Sequence, residues 1–173
     1  MGPWESVPRA TRPPTSAMRS RTSAHSGATR SRVGGEYQEV LCAISEVRGI
    51  SPTVGLALVN MSTSEVILSQ ICDNQFYNNT VLKLTIHQPS IILMVSTACP
   101  PSEPSALWKH VNYHFPGTSI QPLGRRYWSE KSGMEYIDGL CASDELDSVK
   151  VAIQGTFYAT SSFAAVSSDT AYL

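Results

Sequence analysis

The sequence predicts an α/β fold built on a mixed sheet, and three observations carry that prediction. The stretch "SPTVGLALVNMSTSEVILSQICD", Ser51 to Asp73, holds two alternating apolar runs joined by a short polar turn, the pattern of neighbouring antiparallel strands. "IILMV", Ile91 to Val95, is apolar without alternation, as strands buried on both faces under helices are. Between and after these runs the apolar period lengthens to that of a helix.

The elements follow in order. Leu41 to Glu46 reads as a first strand, and "RGISPT", with Gly49 and Pro52, turns the chain. Val54 to Asn60 is the second strand. It places Val54, Leu56, Leu58 and Asn60 on one side and Gly55, Ala57 and Val59 on the other. After "NMSTS", Glu65 to Ile71 is the third, with Val66, Leu68 and Gln70 alternating against Ile67, Ser69 and Ile71. Asp73 or Asn74 can cap a helix that carries Phe76, Thr80, Val81 and Leu84 and that Pro89 closes. Ile91 to Val95 is the fourth strand. Ser102 or Ser105 can cap a second helix with Leu107, Val111 and Phe115 inside. Ser119 to Gln121 is a short edge strand, because Pro122 cannot donate to a central ladder. The order β-β-β-α-β-α-β, three antiparallel strands leading into parallel αβ units, is compatible with ribonuclease H-like folds.

Helices are expected beyond this point. "SEKSGMEYIDGL" sets Ser132 and Glu135 at capping-box spacing, with Met134, Ile137 and Leu140 or Cys141 facing a neighbour. The last helix is expected to be continuous. Ser143 caps it, and Asp144, Glu145 and Asp147 load its first turns with negative charge. Leu146, Val149, Ile153, Phe157, Thr160 or Ser161, and Ala164 form one stripe, weakened at Gly155 by about 1 kcal/mol relative to Ala. With no later element to cover it, that stripe is expected to stand exposed as a latent interface and to lower solubility.

Charge divides the chain. Residues 1–32 carry six Arg and one Glu, a formal +5, while the remainder carries −6, so the net −1 hides a basic, Arg/Ser/Pro-rich tail on an acidic body. Residues 1–36 read as a disordered, solvated leader that could touch an acidic surface. Its Arg and Ser content fits a transit peptide, but Pro3, Pro8, Pro13 and Pro14 oppose a continuous amphipathic helix. No apolar segment has the length of a membrane span, and no membrane partner is expected. Cys42, Cys72, Cys99 and Cys141 are widely spaced among apolar residues and read as buried free thiols.

The chemistry is sparse, and no catalytic, cofactor-binding or metal-binding residue is assigned. Glu46 and Asp73 close strands one and three and could form an acidic pair, but neither parallel strand supplies the third carboxylate a two-metal nuclease requires. His110 and His114 share a helix face, yet "HVNYH" lacks a metalloprotease glutamate and a further ligand. No Gly-rich phosphate loop is present. The compact basic-aromatic group of Arg125, Arg126, Tyr127, Trp128 and Lys131 is the candidate contact site. It suits nucleic acid, by phosphate clamping and base stacking, or a domain junction with the aromatics buried.

Three longer stretches carry a resemblance. "CAISEVRGISPTVGLALVNMSTSEVILSQICDNQFY", "RRYWSEKSGMEYI" and "VKVAIQGTFYATSSFAAV" resemble the MutS family, in its meiosis-specific branch, over about Leu41 to Val166. The resemblance implies that residues 37–123 form a connector domain, ribonuclease H-like without being a nuclease, and that residues 124–173 begin a helical core and lever region and stop inside it. It implies a longer protein that pairs with MutS protein homolog 5 and clamps branched DNA such as Holliday junctions to promote crossovers in the nucleus, on chromosomes. There, ATP and Mg are used by a C-terminal ATPase domain, and the core, clamp and ATPase regions contact the connector. None of that family's ATP-site residues has a counterpart here. Two readings compete with a connector that has no catalytic groups. One is a free-standing nucleic-acid-binding module using the Arg-rich tail with Arg125, Arg126 and Lys131; the other is a small nuclease using Glu46 and Asp73.

Overall fold

A computed structural model describes residues 31–33, 36–47 and 51–170. Most of the Arg-rich tail therefore lies outside the described residues. Its end does not: β1 (Ser31–Val33) pairs antiparallel with β2 (Glu36–Gln38), where the sequence suggested no strand.

The core is a five-stranded sheet of β3 (Val40–Glu46), β4 (Thr53–Asn60), β5 (Glu65–Cys72), β6 (Ile91–Val95) and β7 (Ser119–Leu123), in the order β5-β4-β3-β6-β7. β3, β4 and β5 form the expected antiparallel meander, with Ala43 opposite Ala57 and Ala57 opposite Leu68. β6 then lies parallel to β3, and β7 parallel to β6, so the sheet is mixed. The turn after β4 closes on its own side chain: the Asn60 Oδ1 accepts from the Ser62 and Thr63 amides at 3.0 and 3.2 Å.

The first face is covered by the helices that link the strands. α1 (Asn78–His87) and α2 (Ala106–His114) bring Leu84, Leu107 and Val111 onto Val54, Leu56, Leu58, Ile92 and Met94. Asp73 does cap α1, from outside the helix. Its carboxylate accepts from the amides of Asn79 and Thr80 and from the Thr80 hydroxyl at 2.8–3.2 Å, while Tyr77 at the helix start takes a left-handed φ of 53°. Ser105 caps α2 by accepting from the Trp108 amide at 3.1 Å.

The second face corrects the sequence reading. α3 (Glu130–Leu140) is capped by Ser129, whose Oγ accepts from the Ser132 amide, so Ser132 receives a cap instead of supplying one. The long final helix is two: α4 (Leu146–Ala152) and α5 (Phe157–Thr170), parted at Gly155, whose φ of +79° is one that L side chains rarely adopt. Once the chain has turned there, α5 lies flat on the sheet. Residues 159–167 of α5 are buried, so the end of the expected bare stripe is covered, while Leu146, Val149 and Ile153 are half-buried and Phe157 stays exposed. The helices beyond Leu123, expected to open a separate region, pack on this sheet, with Ile137, Phe163, Ala165 and Val166 against Leu41, Ala43, Ala57 and Leu93.

Close approach of α5 needs missing side chains. A Cβ at Gly55 would enter the backbone of Tyr158, and one at Gly133 would enter that of Thr160. Buried hydroxyls then satisfy the polar atoms trapped between the layers. The Ser162 Oγ donates to the Gly55 carbonyl at 3.1 Å and lies 2.9 Å from the Ser45 Oγ, which donates to the Tyr158 carbonyl. No helix among the described residues is long and apolar enough to cross a membrane.

Candidate interdomain and nucleic-acid contact site

The predicted basic-aromatic group sits where β7 hands over to the second helical layer. Gly124 is followed by one 3-10 turn, Arg125–Tyr127, and Ser129 then starts α3. This sharp passage splits the five residues. Trp128 turns inward, half-buried against the second core, and its Nε1 donates to the Leu123 carbonyl at 3.4 Å. Arg125 and Arg126 are exposed. The Arg126 guanidinium lies 4.7 Å from the Tyr127 ring centre and donates to the Tyr127 hydroxyl at 2.6 Å, so this pair is already self-engaged. Lys131 lies in the first turn of α3, 3.8 Å from Glu135 in an exposed pair. The aromatic half of the group thus belongs partly to the core, and the basic half faces outward.

Arg125 also lines a cleft of about 160 Å3 at the carboxyl ends of the parallel strands β3 and β6, together with Ser45, Glu46, Thr97, Glu103 and Ser105. In open α/β sheets this is the usual place for a ligand crevice. Sequence reasoning named Arg125 and Glu46 as site candidates but not Thr97 or Glu103, and it gave Ser105 only as a helix cap. The signal was available: these residues follow "IILMV", the strand recognised as central. The cleft offers two carboxylates, one guanidinium and hydroxyls, a set suited to polar contacts with a neighbouring surface.

The proposed acidic pair is otherwise occupied. Glu46 accepts from the Tyr77 hydroxyl at 3.0 Å, and burial with the nearby Glu46 charge pushes the Tyr77 phenol up to about 12. Burial pushes the Asp73 carboxyl up, yet hydrogen bonds from Thr80, Asn74 and Asn79 outweigh it and hold the group below the usual carboxylate range. His110 packs its ring on Tyr77 and Phe76 at 5.6 and 6.3 Å, and His114 meets Tyr113 edge-on. Among the described residues no cluster of three or more His, Cys, Asp or Glu could hold a metal ion. The four cysteines are free. Cys42 and Cys99 are buried, and burial pushes both thiols up, but Cys141 is only partly buried and Cys72 is exposed, contrary to expectation.

No family model matches the chain. Individual proteins do. MutS protein homolog 4 of Saccharomyces cerevisiae is 32% identical over 160 residues, 88% of this chain. The proteins of the same name from Mus musculus and Homo sapiens are 31% and 29% identical over 140 and 143 residues, 80% and 82% of this chain. Most of this chain is homologous to the MutS family. The chain spans only 14 to 18% of the length of these MutS relatives. The similarity covers at least four-fifths of the chain, more than either the sheet or its helices alone could supply.

Proposed function

We propose that this chain is the connector part of a MutS-type clamp subunit acting in meiotic recombination. The observation that supports it most is homology to MutS protein homolog 4 over 80–88% of the chain, together with a mixed sheet sealed on both faces by helices. In this reading the connector runs from β3 through α5 and does not stop at Leu123, because α3 and α5 seal its second face. A connector passes motion between neighbours, so it needs a stiff core and contact surfaces. Arg125, Arg126 and Lys131, with Tyr127, serve as an outer contact, and Trp128 anchors the passage to the core. The longer protein would pair with MutS protein homolog 5, close around branched DNA in the nucleus, and use ATP and Mg in a separate domain.

The test is a chimera. Residues 40–170 replace the corresponding segment of the Saccharomyces cerevisiae protein, and meiotic crossovers are scored between marked loci. Crossover frequency near wild type is the expected result. A chimera that accumulates normally yet leaves crossovers at the deletion level sinks the proposal. The exposed guanidinium groups of Arg125 and Arg126 favour one second reading, direct nucleic-acid binding by this chain alone. It requires the isolated chain to bind a labelled four-way junction with a steep salt dependence, lost in an R125E/R126E variant.

A further inference from the structure

The sheet has two edges, and they are finished differently. β7 is five residues long and carries Pro122, which removes a backbone donor from its rim. β5 is eight residues long, "EVILSQIC", with no proline and no lysine, and its one charge is Glu65 at the first position. Among the described residues it pairs with β4 alone. An unblunted edge of that length is a template for another strand.

A groove of about 450 Å3 runs beside this edge, lined by Val66, Leu68, Leu140, Val149, Ile153 and Phe163. Leu140 is 71% exposed and Val66 42%. Because Val66 and Leu68 both line the groove, edge and groove are one surface. A strand laid along β5 would set every second side chain into it. The rim of this surface is acidic. Glu145 lines the groove, and Glu65 and Asp144 are exposed. Lys150, beside Val149 on α4, is taken, since it pairs with Asp138 at 2.7 Å. Glu65, Asp144 and Glu145 have no basic partner among the described residues.

We propose that β5 and this groove form a docking site for an extended segment of a partner protein, with alternating apolar residues flanked by Arg or Lys, added as a sixth strand. Apolar side chains would fill the groove, main-chain bonds would extend the ladder, and the flanking cations would meet the rim. The same rim disfavours a second copy of this chain, because a two-fold pairing through β5 brings two sets of unpaired carboxylates together.

The test titrates the full, 15N-labelled chain with the capped peptide Arg-Arg-Val-Thr-Val-Thr-Val-Arg-Arg. Two control peptides carry Glu in place of Arg or Gly in place of Val. Amide shifts confined to residues 64–72, to the groove-lining stretch 137–153 and to the neighbourhood of Phe163 are expected, with either control binding at least about tenfold more weakly. Val66→Lys, at an exposed position, and the doubly substituted D144K/E145K chain should each weaken binding by about tenfold while the far-UV spectrum is unchanged. Equal binding of the Arg and Glu peptides overturns the proposal, as do shifts elsewhere. A chain that sediments as a dimer and becomes monomeric on Val66→Lys also overturns it, because a second copy then holds the edge.

Discussion

The two faces of the five-stranded sheet are sealed in opposite ways. On the first, α1 and α2 set branched side chains into the sheet, and Leu56, Leu84, Leu107 and Val111 are fully buried there. On the second, α5 comes so close at Gly55 that no side chain fits, and the buried layer includes Ala159, Thr160, Ser161, Ser162, Ala164 and Ala165. One face is held by volume that is present and the other by volume that is missing. Faces of the first kind should fail when a side chain is cut back, and faces of the second kind when one is added.

The largest expected effect is on the second face. Gly55→Val forces three new carbons into the Tyr158 backbone and should cost about 4 kcal/mol or more, read as a lowered urea midpoint or outright loss of the cooperative transition. Next comes the first face: Leu84→Ala should cost about 3 kcal/mol through the cavity it leaves, with the urea slope unchanged. If Gly55→Val proves milder than Leu84→Ala, the contrast between the faces collapses. Ser162→Ala should cost about 1.5 kcal/mol, since it strips a buried bond from the Gly55 carbonyl.

The smallest effect is at the rim of the first face. Asp73→Asn should cost about 1 kcal/mol, because an amide oxygen caps α1 less well than a carboxylate. It should also remove an acid-sensitive component of stability. The native Asp73 carboxyl sits below its unfolded value, so its contribution is complete above that value. The contribution is lost as pH falls from the unfolded value, about 3.9, through the lower native one. Thermal midpoints of the two chains should therefore converge as pH is lowered through that window.

The same contrast explains what could be read from the sequence. The first face was legible. Alternation in β4, the unbroken apolar run of β6 and the Leu107–Val111 spacing all advertise burial by volume, and the order of elements along the chain, though not that of strands across the sheet, follows from them. The second face was not. "ATSSFAAVSS" looks like half of an amphipathic stripe, because serines that satisfy buried carbonyls score as polar and therefore as exposed. Gly155 was read as a local weakness of about 1 kcal/mol within a continuous helix, yet it is the turn that lays α5 on the sheet. At the candidate site, the sequence shows Arg125 and Trp128 as parts of one compact group and leaves open whether the aromatics face the core or a ligand. Adjacency in sequence says nothing of that when a 3-10 turn separates their directions.

The bond between Ser162 and Gly55 spans 107 residues. A ribosome delivers this chain from its N-terminus, so the order in which the faces close is set by where their covers lie along it. α1 and α2 emerge between the strands they protect, and the first face is roofed as it is laid down. The sheet is complete at Leu123, but its second face waits for residues 157–170. Through that interval the nascent molecule presents Leu41, Ala43, Ala57 and Leu93 to solvent, the surface a chaperone would have to hold until translation brings its cover.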